Sequence, residues 1–153
     1  MPYEHILVPL DGSELAEMAV ADAFALAGFC QSEVTLLQVI RPVEDVIGLD
    51  NFHRIYLDQQ WETRKGLALE YLNAVCERTE CDGITVHSAV EMGLAAEIII
   101  DYAHEHPIEL IVMATHGRSG LKRWVYGSVA EKVLRGSDLP VQLVRAHASP
   151  RTA

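Results

Sequence analysis

The run Ile6-Leu7-Val8-Pro9-Leu10 is short and continuously apolar. Such a run is expected of a strand buried on both faces, as in parallel sheets covered by helices. Pro9 cannot donate to a ladder, so it is expected to mark the strand's end. Asp11-Gly12-Ser13 then turns the chain. Ser13 is a good N-cap for a helix over residues 14–27, and Glu14 and Glu17 suit that helix's positive end. Leu15, Met18, Ala19, Ala23 and Leu26 recur at helical spacing and should face the sheet, with Gly28 as the stop.

The same alternation continues to the end of the chain. Val34-Thr35-Leu36-Leu37-Gln38-Val39-Ile40 reads as a second strand that Arg41-Pro42 ends. Residues 43–53 lack a pattern and read as a loop, and residues 56–80 read as a long helix. Ile84-Thr85-Val86-His87-Ser88-Ala89-Val90 is a third strand, β-branched at its start. Gly93 turns the chain into a helix over residues 94–105, which Pro107 closes off. Leu110-Ile111-Val112-Met113-Ala114 is a fourth strand. Ser128 caps a helix to Arg135, ended by Gly136, and Val141-Gln142-Leu143-Val144 is a fifth strand. The order βαβαβαβαβ calls for a parallel, doubly wound sheet with right-handed crossovers. A single domain over residues 1–147 with a C-terminal tail, 148–153, is the expected organisation.

Composition narrows the function. The formal charge of −10 argues against general nucleic-acid or anionic-membrane binding, because phosphate attraction needs basic surface. No apolar run reaches the length of a bilayer span, and the first residues lack the marks of a signal peptide. Cys30, Cys76 and Cys81 are odd in number and show no CxxC spacing. They indicate neither a disulfide framework nor a zinc site, and a cytoplasmic location is the expectation. Cys76 and Cys81 read as structural residues.

One stretch, residues 111–134, concentrates the chemistry. It opens as the buried fourth strand, passes through Thr115, His116, Gly117, Arg118, Ser119 and Gly120, and resumes at Gly127-Ser128 as a helix start. Glycines let backbone approach a ligand, and free N–H groups at a helix start attract anions. Arg118, Lys122 and Arg123 form a local basic cluster in an acidic protein. On spacing alone the pair Gly117 and Gly120 serves a tight turn as readily as a phosphate. His116 is a loop residue that suits backbone hydrogen bonding as well as phosphate contact. His104 and His106 point to different faces of a helix and read as helix-end residues rather than metal ligands. Neither GxGxxG after the first strand nor GxxxxGK[ST] occurs. If the strand order is 3-2-1-4-5, the loop at Asp11 faces the glycine loop across the crevice where the order reverses.

These segments resemble the universal stress protein family, the UspA-like domains. The resemblance lies in HILVPLDGS (residues 5–13), LLQVI (36–40), IVMATHGRSG (111–120), GSVAEKVL (127–134) and LPVQLVR (139–145). It implies a Rossmann-like five-stranded parallel sheet of order 3-2-1-4-5, of the adenine nucleotide alpha hydrolase-like kind. The family's ATP binders carry Gly, two residues, Gly, nine residues, Gly, then Ser or Thr. Here Gly117, nine residues and Gly127-Ser128 match, while the first glycine position is Ala114. A second departure is Gly93-Leu94-Ala95, where many relatives carry Gly-Asp-Pro. By the resemblance, Asp11 and Val39 contact adenine or ribose, and Gly117, Arg118, Gly127, Ser128 and Val129 line the phosphates. Pro9, Met113, Ala114, His116 and Gly120 complete the nucleotide-binding set, with Asp11 near a Mg²⁺ carried by ATP.

The implied function is an ATP-binding regulatory module of the stress response, homodimeric through the fifth strand (Val141, Gln142, Leu143, Val144). An apolar edge strand also invites such pairing on physical grounds. Hydrolysis would need a base, a positioned water and a held metal. No Walker-type lysine, second loop carboxylate or Ser–His–Asp arrangement is assignable, so at most weak ATP hydrolysis is expected. A slow ATPase and a nucleotide-free dimeric scaffold remain the alternatives.

Overall fold

A computed structural model describes residues 3–42, 51–115 and 127–145. The elements run β1 (His5–Leu10), α1 (Glu14–Cys30), β2 (Glu33–Ile40), α2 (Asn51–Arg78), β3 (Val86–Met92), α3 (Ala95–Glu105), β4 (Leu110–Thr115), α4 (Ser128–Gly136) and β5 (Val141–Arg145). The five strands form one parallel sheet in the order β3-β2-β1-β4-β5. The expected doubly wound topology is therefore present, with the reversal between β1 and β4.

Strand side chains alternate between the two faces of the sheet, and each face builds its own core. Ile6, Val8 and Leu10 of β1, Val34 and Leu36 of β2 and Val112 of β4 pack against α1 and α2. Leu7, Leu37, Ile111 and Met113 face the other way, against Ala96, Ile99 and Ala103 of α3 and Ala130 and Val133 of α4. This two-sided burial explains why β1 and β4 read as unbroken apolar runs. On α1 the buried stripe is Ala19, Val20, Ala23, Phe24 and Ala27. It includes two residues of the expected face, while Leu15, Met18 and Leu26 are only half-buried.

Several boundaries differ from the expectation, each for a local reason. Gly28 does not stop α1; the helix continues to Cys30, and Gln31 takes the left-handed cap conformation (φ 59°), its N–H bonding the Ala27 carbonyl. The long helix begins at Asn51, inside the stretch expected to be a loop; residues 43–50 lie outside the described residues. β3 is shifted two residues later than expected, because its pairing with β2 runs from Val86 opposite Val34 to Met92 opposite Ile40. Ser128 is the first residue of α4, and Gly127 holds the N-cap position.

Pro9 does not end β1, since pairing with β2 continues to Leu10 opposite Gln38. Its effect falls on the other neighbour. The Glu4 carbonyl accepts from Glu33 on the β2 side, at 2.8 Å, and the His5 carbonyl accepts from Glu109 on the β4 side, at 3.0 Å. Successive residues of a strand address opposite neighbours, so the Pro9 nitrogen faces β4 and offers it no donor. Pairing between β1 and β4 covers only Ile6 opposite Leu110 and Leu7 opposite Ile111. Beyond that point the two strands part.

At the opposite end of the sheet His5 Nε2 lies 2.7 Å from Thr35 Oγ1. Burial, more than the neighbouring His87 and His106, holds its pKa below the usual 6.5, against the opposing pull of Glu33 and Glu109. The unfolded chain therefore takes up this proton more readily than the folded one. Stability is expected to fall as pH drops below about 6.5, and His5→Gln should flatten that part of a urea-unfolding pH series. A second expectation concerns the β3–α3 junction. A Cβ on Gly93 (φ 151°) would lie 2.6 Å from Ile98 Cγ1, so Gly93→Ala should cost roughly 1–3 kcal/mol. The next residue, Leu94, occupies the α3 N-cap with extended backbone and no side-chain cap bond, so Leu94→Asp should add about 1 kcal/mol in the same assay.

Candidate functional site

The parting of β1 and β4 opens a cleft of about 650 Å³, counting the space open to solvent at its mouth. Its floor is Leu37 and Val39 of β2, Met113 of β4 and Ile99 of α3. These residues come from the α3–α4 side of the sheet, where odd positions of the strands point. One lip is the end of β1 with the first turn of α1: Pro9, Leu10, Asp11, Leu15 and Ala16. The other is the end of β4 with the start of α4: Ala114, Thr115, Gly127, Val129 and Ala130.

The two lips differ in their chemistry. On the α1 side, Ser13 Oγ accepts the N–H of Ala16 at 3.1 Å, and Asp11 Oδ1 accepts the N–H of Ser13 at 2.9 Å. This Asx turn and N-cap engage two of the backbone donors at the start of α1. Gly12, at φ 88°, supplies the left-handed turn that brings them together. Asp11 remains exposed, so its carboxylate still faces solvent at the lip. On the α4 side, Gly127 has no side chain with which to cap the helix. Gly127 is buried, its carbonyl accepts from Glu131 N at 2.9 Å, and α4 begins directly at the cleft. A helix start of this kind presents N–H groups and a partial positive charge. The cleft thus joins an apolar floor to a carboxylate on one side and a helix N-terminus on the other.

A clasp of α2 onto α1 lies behind the Asp11 lip. Glu17 Oε1 accepts from the Tyr71 hydroxyl and from Arg78 Nη2, each at 2.9 Å. Burial first, then the Glu17 hydrogen bond and the charges of Glu17 and Asp11, pushes the Tyr71 phenol well above its usual value, with Arg78 opposing. Tyr71 is therefore a neutral donor that fixes Glu17 rather than a proton-transfer group.

Of the residues singled out from the sequence, Pro9, Asp11, Val39, Met113, Ala114, Gly127 and Val129 converge on this cleft. Ser128 is exposed at the first position of α4, beside the lining rather than in it. His116, Gly117, Arg118 and Gly120 lie outside the described residues. Ala114 is half-buried and packs against the α1-side core as well as bordering the cleft. Leu15, Ala16, Leu37, Ala95, Ile99 and Ala130 were missed. Leu15 and Ala16 follow directly from a helix capped at Ser13, whose first turn has to stand at the crevice. Thr115 Oγ1 lies 3.5 Å from the Val144 carbonyl, which ties that lip to β5. No group of three or more His, Cys, Asp or Glu side chains suited to a metal ion occurs among the described residues. His106 instead stacks on Tyr102 at 3.8 Å at the end of α3.

Residues 2–145 match the model of the universal stress protein family. Universal stress protein MJ0531 of Methanocaldococcus jannaschii is 31% identical over 94% of this chain and 82% of its own length. The solved structure of MJ0577, a universal stress protein of the same organism, superposes with a TM-score of 0.79 at 29% identity, covering 97% of this chain and 100% of that one. More distant structures share the fold, among them a universal stress protein in complex with cAMP (TM-score 0.66, 19% identity, 96% of this chain and 100% of that one). Another is the Archaeoglobus fulgidus protein in complex with dAMP (TM-score 0.59, 18% identity, 94% and 98%). The chain belongs to the universal stress protein family.

Proposed function

We propose that the cleft between β1 and β4 binds an adenine nucleotide, ATP, and that the protein is a dimeric regulatory module rather than an efficient enzyme. The observation that carries this reading is the pairing of opposite lips across an apolar floor. Val39, Met113 and Ile99 offer a surface for a planar base. Asp11 offers an acceptor for ribose hydroxyls or an adenine amine. The start of α4 offers N–H groups for phosphate, and Gly127 allows the close approach. The complexes of two family members with cAMP and dAMP support an adenine nucleotide as the ligand class. Gly117, Arg118, Gly120 and His116 complete the phosphate side in this reading, and Asp11 would stand near a Mg²⁺ carried by ATP.

Hydrolysis is disfavoured by the donor set. Asp11 is the one carboxylate among the described lining residues, so no second acidic group is placed there to hold a metal or activate water. Ligand binding would instead bias a loop or dimer state, and only by the difference in affinity between the states. β5 is the edge strand next to β4, with Val141, Leu143 and Val144 half-buried. Its open edge suits pairing with a second copy.

Calorimetry with ATP and Mg²⁺ tests the central point: saturable one-to-one binding is expected, and absence of heat would favour the scaffold reading. Asp11→Ala should weaken ATP binding about tenfold, a loss of about 1.4 kcal/mol, and also loosen the α1 cap. Asp11→Asn keeps an oxygen for the Ser13 N–H. It should therefore retain the stability while still weakening binding, which separates the ligand role from the structural one. Ala114→Gly should bind ATP at least as tightly as the natural chain, whereas Gly117→Val should abolish binding. For the assembly, light scattering at micromolar concentration should give the mass of two chains. Lysine in place of Leu143 should shift that mass to one; a monomer in the natural protein would contradict the dimer.

A further inference from the structure

Two thiols meet at the far end of α2, away from the cleft. Cys76 lies near the end of α2, and Cys81 opens the turn that leads to β3. Their sulfurs stand 3.5 Å apart, and the Cys81 thiol donates to the Cys76 carbonyl, also at 3.5 Å. The intervening turn is well tied. Thr79 N donates to the Cys76 carbonyl at 3.2 Å, Thr79 Oγ1 to the Val75 carbonyl at 2.8 Å, and Ile84 N to the Cys81 carbonyl at 3.0 Å. Both cysteines are half-buried, so a small reagent has access to them while the core of α2 supports them. Cys30, at the end of α1, has no sulfur partner among the described residues. A bound metal does not account for the pair, because no third ligand joins it among the described residues.

We propose that Cys76 and Cys81 form a reversible dithiol–disulfide site that exchanges with low-molecular-weight disulfides. The sulfurs need approach by only about 1.5 Å to reach bonding distance. Burial chiefly, with the hydrogen bond to Cys81, pushes the Cys76 thiol up to about 11, so Cys76 holds its proton at neutral pH. One of the two thiols, once deprotonated, opens the exchange. Its thiolate forms a bond to one sulfur of the small disulfide and expels the other half as a thiolate, which takes up the proton that thiol gave up. The other cysteine then loses its proton, bonds to the first cysteine's sulfur and expels the second half, which takes that proton. Two protein thiols are oxidised to one disulfide, and one small disulfide is reduced to two thiols. The site borders Arg78, whose Nη2 holds Glu17 at 2.9 Å, so oxidation acts beside the contact that joins α2 to α1.

Oxidised glutathione, incubated with the natural chain and followed by mass spectrometry, tests this directly. The expected product has lost two hydrogens, retains no glutathione, and returns to the starting mass with dithiothreitol. Trypsin cuts after Arg78, so the product should appear as two peptides joined through Cys76 and Cys81. Cys76→Ser and Cys81→Ser should each stop at a single glutathione adduct on the remaining thiol of the pair. The proposal is overturned if both thiols stay free, if the natural chain ends as glutathione adducts without the link, or if Cys30 carries the disulfide. Since the decisive product forms in the natural chain, an unfolded variant would not remove the test.

Discussion

The parting of β1 from β4 is the constraint on which the site depends. A parallel sheet pairs neighbouring strands along their length unless something withdraws the donors. Here Pro9 sits where its missing N–H would have faced β4, and pairing stops after Leu7 opposite Ile111. On the other side β1 stays joined to β2 through Leu10. One proline therefore leaves the sheet intact where it supports the core and frees it where the strand order reverses. Because the crossovers diverge at that reversal, α1 and α4 start on opposite lips of the same opening.

The two helix starts then divide the work. α1 is turned inward on its own residues: Asp11 and Ser13 satisfy nearby backbone donors, and Gly12 makes the turn possible. α4 begins behind a glycine that supplies no cap. A chain with a formal charge of −10 has no general attraction for anions. Any anion site in it has to be made from local dipoles and close backbone approach, whose influence is short-ranged at physiological salt. Asp11 and the α4 start stand on separate lips, so the acidic group is kept apart from the helix start whose first residue lacks a side-chain cap.

Much of the architecture was legible because burial on both sheet faces leaves a plain mark. Ile6 to Leu10, Leu110 to Ala114 and the core of β2 have few polar interruptions since both sides are covered. Ser13 was legible as a cap because its hydroxyl has a local partner three residues on. Boundaries were less so where tertiary contacts override local preference. Gly28 is a competent helix stop, yet α1 runs on to Cys30 and closes at Gln31, whose N–H bonds the Ala27 carbonyl. β3 begins late because its register is set by β2, not by its own β-branched residues. Among site residues, the floor at Val39 and Met113 came from the family resemblance, while Leu15, Ala16 and Ile99 join it only through the placement of their helices. The Cys76–Cys81 contact was not legible, since five residues of separation bring two sulfurs together only after a helix has ended and the chain has turned.

A backbone amide NMR titration of the natural protein with Mg²⁺ and ATP tests the β1–β4 cleft most directly. Amide shifts concentrated at Asp11, Val39, Ala114, Gly127 and Ser128, saturating together, are the predicted result. No shifts, or shifts confined to the His5 and His87 end of the sheet, would contradict the assignment of the β1–β4 cleft as a nucleotide site.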